Sequence, residues 1–330
     1  MKNIFFFIFS CSLLFSQQYG NERVQWQLNP EISVLGDFFI NYLNEKSKTE
    51  AVLEEVELSF QTPLDPFTRM KVFLGIHKEE EGDIEDGSEH HQNGYHLHLE
   101  ETYITWVGLA PNIAIDAGKF RTPFGTYNRW HPHALPILNY PLYIRKFFGE
   151  EGLSGTGISG SILFSGIGTN ELNIQGLSHN RKNELLAHYK SYFDLSPESY
   201  FEIGLSFFSP DKKYYGADFT FLYEPTAKAK YNHFQMHFEY GKNDENAGYL
   251  FLLEKKFTRR ITIGASYEYF KERMEFAETT KIYSGILTFW QSEFVRFRLH
   301  LINEKIGGKG EKMAALQITF AAGPHKHEEY

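Results

Sequence analysis

From about residue 31 onward, apolar and polar side chains alternate in runs of roughly eight to twelve residues, each closed by a polar turn. Between Tyr231 and Tyr240, Phe234, Met236, Phe238 and Tyr240 alternate with His233, Gln235, His237 and Glu239. A period of two places one set on each side of an extended strand. The pattern recurs at Val295, Phe297, Leu299 and Leu301 against Arg296, Arg298 and His300. It recurs again at Ile261, Ile263, Ala265, Tyr267 and Tyr269 against Thr262, Gly264, Ser266 and Glu268, and at Val56, Leu58 and Phe60 against Glu55, Glu57 and Ser59. No segment carries a long stripe with the 3.6-residue helical period, so the chain is read as all-β.

Counting such runs gives about sixteen strands, with fourteen or eighteen also compatible with their spacing. They start near residues 31, 51, 66, 94, 111, 153, 169, 183, 199, 214, 231, 246, 260, 280, 293 and 313. Tight turns at 62–66, 108–112, 166–168 and 196–198 alternate with long polar connections at 78–93 and 122–152. Short turns at one end and long loops at the other are how outer-membrane barrels are built.

Alternation alone also suits a two-sheet sandwich, which buries one face and wets the other. The wet set favours a barrel: it carries Glu, Arg, His, Lys and Gln in strand after strand, while Tyr223, Tyr240, Tyr269, Trp106 and Trp290 sit at the ends of the greasy set as lipid-boundary girdles do. In hydrocarbon every backbone N–H and C=O must be paired within the protein, so a sheet survives there only by closing on itself. The expected fold is a transmembrane antiparallel β-barrel of about 16 strands, roughly 32 Å across, too wide for side chains to fill.

Composition adds direction. Phe, at 31 residues, and Tyr, at 20, are abundant, which excludes a disordered or coiled-coil chain. The formal charge of -9 argues against a nucleic-acid partner, which wants a basic face. Lys2, the apolar run Ile4 to Phe9 and Leu13 to Phe15, and Ser16 before Gln17 form the pattern of a cleaved secretory signal peptide over residues 1–16. Its loss removes Lys2 and takes the charge of the remaining barrel, 17–330, from -9 to -10. The single cysteine, Cys11, lies inside that segment. Lipidation at Cys11 is the competing reading, but it leaves too short an apolar core. The exported chain then needs no disulfide.

The longest connection, 122–152, holds four prolines and several aromatics, including Tyr127, Trp130 and Tyr140. Stiffness and bulk suit a loop packed against something, folded into the lumen to set its narrowest point. Here the chain resembles known proteins. Gly118-Lys119-Phe120-Arg121-Thr122-Pro123-Phe124-Gly125, the long third loop, and Phe148-Gly149-Glu150-Glu151-Gly152-Leu153 are similar to bacterial outer-membrane porins of the phosphate-selective and general porin superfamily. The resemblance implies a 16-stranded barrel, a constriction made by the third extracellular loop, and a homotrimer. It does not carry phosphate selectivity here, since no matching basic ladder runs along the strands.

Near the expected constriction lie Lys119, Arg121, Arg129, Arg145 and Lys146, with Glu150 and Glu151, and with His131 and His133 between them. Cations in a narrow pore favour anions. The arginines could equally tie the loop to wall carboxylates such as Glu55, Glu57 or Glu100. The second long loop gathers Glu79, Glu80, Glu81, Asp83, Glu85, Asp86 and Glu89 before His90 and His91, a composition that reads first as a solvated acidic block. No spacing assigns a metal; His90, His91, His131 and His133 are the nearest to ligand candidates.

Gly155 to Gly160 matches a dinucleotide string but leads into a strand rather than a helix, so its small residues are read as sites of close backbone approach. Ser178-His179 and Ser191 with His188 are the nearest to a nucleophile and base, without a third partner, and no enzyme is read from them. Leu316, Ile318 and Phe320 form the closing strand, with 321–330 left as a tail. The expectation is an outer-membrane porin, embedded in lipid, passing small hydrophilic solutes down their gradients with an anion preference and no cofactor. The alternative is a loop-occluded barrel that binds a divalent metal or a surface ligand.

Overall fold

The computed structural model describes residues 30–43, 48–78, 94–179, 182–225, 231–272 and 278–323. The signal segment, most of the acidic loop with His90 and His91, and the tail from 324 onward lie outside the described residues.

Sixteen strands follow one another: β1 (Glu31–Leu43), β2 (Lys48–Asp65), β3 (Thr68–Lys78), β4 (Tyr95–Val107), β5 (Ile113–Arg121), β6 (Ser154–Gly166), β7 (Gly168–His179), β8 (Lys182–Ser196), β9 (Ser199–Ser209), β10 (Tyr214–Tyr223), β11 (His233–Lys242), β12 (Asn246–Lys256), β13 (Ile261–Glu272), β14 (Thr279–Trp290), β15 (Val295–Ile306) and β16 (Lys309–Ala322). Each pairs antiparallel with its sequence neighbours, and β1 pairs with β16 to close the barrel. The expected strand starts fall within four residues of those observed. Period-two patterning sets the register, because a slip of one residue would turn every side chain to the wrong face.

Burial is inverted relative to a soluble protein. Along β11, His237 and Glu239 are buried while Phe234, Met236 and Phe238 are only partly covered. Arg296, Arg298 and His300 of β15 are buried; Leu205, Ile263 and Leu301 are exposed. A sandwich would bury the opposite set, so a barrel whose polar face turns inward is the fold. At the seam Gln317 Nε2 and Thr319 Oγ1 of β16 donate to Asp37 of β1 at 2.7 and 2.8 Å. Across the same seam, the Phe320 ring lies over Gly36 where a Cβ would clash.

Two expectations need correction. Long loops do not fill one end: on the side of the 79–94 and 122–153 connections, 180–181, 210–213, 243–245 and 307–308 are as short as the turns opposite. Gly307 and Gly308, with φ +55° and +93°, show why: two left-handed residues make a tight hairpin that matches the strand twist. Trp290 belongs to no outer girdle, since it lines an inward cavity with the Arg296 guanidinium 5.5 Å from its ring centre. On the outer face Tyr269, one of the expected girdle residues, stacks on Tyr249 at 5.1 Å, and Tyr267 lies against Tyr283 at 4.9 Å.

Within β6, part of the dinucleotide-like string makes a close approach. A Cβ on Gly157 would stand 2.0 Å from the Gly176 carbonyl oxygen of β7, and Gly157 pairs with Gly118 on its other side.

Candidate functional site

The connection between β5 and β6 is compact. It contains 3-10 turns at Tyr127–Arg129 and Pro132–Ala134 and a helix, α1 (Leu142–Phe148). Asn128 ties its neck: Nδ2 donates to the carbonyls of Thr122 and Leu153 at 2.8 Å each, and Oδ1 accepts from the Leu153 amide at 2.7 Å. Gly125, at φ +72°, lets the chain turn back while its amide donates to Ser206 Oγ of β9 at 3.0 Å.

One side of the connection is held by shape. Gly216, Gly241 and Gly248 face one another across β10, β11 and β12, forming a dent in the wall. Tyr143 sits in it, 2.3 Å from where a Cβ on Gly241 would be. Around it Phe124 meets Phe148 at 5.2 Å, Phe147 meets Tyr214 and Phe270 at 5.3 and 5.8 Å, and Phe148 meets Phe208 at 5.8 Å. Each such buried ring contributes on the order of 2–3 kcal/mol.

Beneath this apolar dock lies a carboxylate hub. Glu239 of β11, fully buried, accepts from the amides of Thr126 and Tyr127 at 2.6 and 2.9 Å and from the Tyr143 hydroxyl at 2.9 Å. Burial, and then the Glu239 charge, push the Tyr143 phenol well above its usual pKa, so it remains a neutral donor. Glu268 of β13 accepts the first amide of α1, that of Leu142, at 2.5 Å. On β15, Arg296 donates to the His133 carbonyl at 2.5 Å and Arg298 donates to the Leu135 carbonyl.

The remaining contact is ionic. His131 Nδ1 lies 2.8 Å from Glu57 Oε2 and 2.8 Å from Glu100 Oε2, with Nε2 3.5 Å from Glu101 Oε1. His133 Nδ1 stands 3.2 Å from Glu55 Oε2. His77 of β3 completes the group, its Nε2 2.7 Å from Glu100 Oε1 and 3.9 Å from Glu55 Oε1. Burial opposes a charge on His131, yet the facing Glu57 carboxylate and the bonds to Glu100 and Glu101 hold its pKa well above the ordinary imidazole value. The sequence places these acids together by irregularity. The β3–β4 register shifts so that Phe73 pairs with Glu101 and Leu74 with Leu99; Glu100 is the extra residue of a β-bulge, and two consecutive carboxylates turn inward. A second bulge shifts β2 beside Asp37, leaving Glu54 extra next to Glu55.

Of the residues singled out from the sequence, Arg121, His131 and His133 meet at this junction. Arg121 Nη1 donates to the Glu151 carbonyl at 2.8 Å and approaches Glu100 and Glu101 at 3.9 Å. Lys119 is directed elsewhere, donating to the Leu99 carbonyl. Arg145 stays local, with Nε on the Tyr140 carbonyl at 2.9 Å and Nη1 on Glu150 at 3.3 Å; Lys146, Glu150 and Glu151 are exposed. At this junction the carboxylates outnumber the cations: Arg121 approaches the wall carboxylate Glu100, as the tethering alternative expected, while His131 and His133 make the shorter contacts to Glu57, Glu100 and Glu55. Glu101 and His77 were missed: adjacent Glu100 and Glu101 break the two-residue period, the one signal that could have marked the bulge. His188 Nδ1 pairs with Ser206 and Ser191 with Asn170, so these two do not pair with each other as nucleophile and base.

Two cavities border residues 121–136. One, of about 480 Å³, is lined by Trp130, His133, Arg296, Arg298 and Lys256. The other, of about 730 Å³, is lined by Arg121, Arg129, Glu101, Asp116 and Glu171.

A closed sixteen-stranded antiparallel barrel with a polar inner face is a fold shared with solved outer-membrane porins. The solved structures that share it include OprB of Pseudomonas putida at high pH, with a TM-score of 0.66 and 10% identity over 91% of this chain and 96% of that one. The outer membrane channel DcaP of Acinetobacter baumannii follows at 0.60 and 9% identity over 89% and 97%. The anion-selective porin from Comamonas acidovorans stands at 0.60 and 10% identity over 89% and 99%. In sequence, the chain is 33% identical over 116 residues to an uncharacterized protein of Aquifex aeolicus (strain VF5), a match spanning 35% of this chain and 21% of that one. No family model matches the chain.

Proposed function

We propose that the protein is an outer-membrane diffusion channel for small hydrophilic solutes, narrowed by residues 122–152 crossing the barrel interior. The observation that carries this reading is the inverted burial: charged side chains such as Glu239, Arg296 and Arg298 face inward while Leu205, Ile263 and Leu301 face out. Contacts of the 122–152 connection with β2, β4, β9, β11, β13 and β15 support its place inside the ring.

An anion preference belongs to the same proposal. Its support is the pair Arg296 and Arg298 beside Lys256, lining the smaller cavity, whose formal charge is positive. Export by a cleaved segment 1–16, insertion in outer-membrane lipid and assembly as a homotrimer complete the reading. Planar-bilayer recording tests it: ohmic conductance with a reversal potential favouring chloride is expected. A barrel that seals the bilayer would favour the occluded alternative, and cation selectivity would remove the anion preference. N-terminal sequencing of the membrane-extracted protein reads the cleavage, and native mass spectrometry in detergent reads the trimer.

A further inference from the structure

We infer that the junction of residues 131–133 with β2, β3 and β4 is a binding site for a divalent first-row transition-metal ion such as Zn²⁺, with Glu55, Glu57, Glu100, His77, His131 and His133 as the ligand set. Three overlapping trios have donor atoms that all lie within 4.8 Å of one another: Glu57, Glu100 and His131; Glu55, Glu57 and His133; Glu55, His77 and Glu100. Every carboxylate belongs to two trios and every histidine to one.

The geometry at His131 favours an ion over protons alone. One ring nitrogen stands 2.8 Å from oxygens of two different carboxylates, whereas a single N–H can serve only one of them well. Ligands about 2.0–2.1 Å from a metal lie about 3.0–3.4 Å apart, so opening these contacts by a few tenths of an ångström admits one. Glu55 Oε1 is buried and has no hydrogen-bond partner among the described residues. Charge points the same way: Glu55, Glu57, Glu100 and Glu101 contribute a formal -4 against +2 from Arg121 and a protonated His131, leaving -2 in a buried volume. Buried charge of that size is stable only when paired or bound to a metal.

Mixed imidazole and carboxylate donors select zinc-like ions over calcium, which prefers oxygen alone. An entry path exists from either side, since His133 lines the smaller cavity and Glu101, beside Glu100, lines the larger. Two ligands belong to the connection and four to the wall, so a bound ion staples one to the other. The binding is a property of the folded barrel and stands or falls separately from conduction.

The test uses the full protein extracted in detergent, stripped with EDTA and titrated with Zn²⁺ by calorimetry, with Ca²⁺ as the oxygen-only control. Saturable Zn²⁺ binding is expected, with Ca²⁺ at least about tenfold weaker. Glu57→Gln, which keeps shape, and His131→Gln should each weaken Zn²⁺ by about tenfold or more. Far-UV circular dichroism confirms that each variant remains a barrel. A combined His90→Ala, His91→Ala, His325→Ala and His327→Ala variant should bind as the parent does. Absence of saturable binding below about 1 mM, an affinity unchanged by Glu57→Gln, or binding lost with the four other histidines overturns the assignment.

Discussion

The two cavities beside residues 121–136 differ in sign. The smaller is lined by Lys256, Arg296 and Arg298 against Glu254 and Glu293, a formal +1; the larger by Arg121 and Arg129 against Glu101, Asp116 and Glu171, a formal -1. Both share the same connection as a wall, so the segment proposed to narrow the barrel would also divide its charge. Selectivity then depends on which compartment carries the current. In a low-dielectric enclosure a difference of two charges outweighs the net charge of the whole chain, which acts across screened solvent.

The largest expected effect comes from removing the divider. Deleting residues 126–147 while keeping the neck should raise single-channel conductance by about twofold or more and bring selectivity close to that of bulk solution, because the two compartments merge. Unchanged conductance in a folded deletion variant would mean that the connection never lay in the path.

Next in size is displacement of the divider without loss of sequence. Gly241→Val places a branched side chain where the Tyr143 ring now sits, forcing α1 off the wall at a cost of about 1–3 kcal/mol. Melting at lower temperature together with noisier, larger conductance is expected. Glu239→Gln should act in the same direction and less strongly, since an amide oxygen still accepts from Thr126 and Tyr127 but without the ionic strength of the carboxylate.

The contrast between compartments shows what was legible in the sequence and what was not. Period-two runs named the strands and their inward faces: Glu239, Arg296 and Arg298 were all assigned to the polar side that turns inward. Prolines and aromatics in 122–152 marked a packed connection. Its docking site was illegible for a physical reason, since Gly216, Gly241 and Gly248 are scattered in sequence and become a dent only through register. The ionic junction was half legible. Glu55, Glu57 and Glu100 were foreseen as wall partners for arginines; Arg121 does approach Glu100 at 3.9 Å, but the shorter contacts come from His131 and His133, and Arg296 and Arg298 bind the connection through carbonyl oxygens.

A smaller effect separates charge from anchoring in the cationic compartment. Arg296→Lys with Arg298→Lys keeps the +1 of the smaller cavity but loses the planar forks that reach His133 and Leu135. If charge sets selectivity, the chloride-to-potassium permeability ratio stays near that of the parent. Arg296→Met with Arg298→Met should lower it about two- to threefold. A fall of equal size in both double variants would assign the arginines to positioning and shift the selective role elsewhere.

The smallest expected effect concerns the acidic compartment. Asp116→Asn with Glu171→Gln takes its formal balance from -1 to +1, leaving two cavities of the same sign. At low salt the permeability ratio should move toward anions, by less than the arginine variants move it the other way, because these carboxylates line the wider space. At about 1 M salt, where charges are screened within about 3 Å, the difference from the parent should vanish. If it persists at high salt, the substitutions have changed the shape of the path rather than its potential, since only contacts shorter than the screening length survive there. Asp116 is the residue to suspect in that case, because its carboxylate accepts from Thr105 Oγ1 at 2.6 Å and holds the β4–β5 wall as well as charging it.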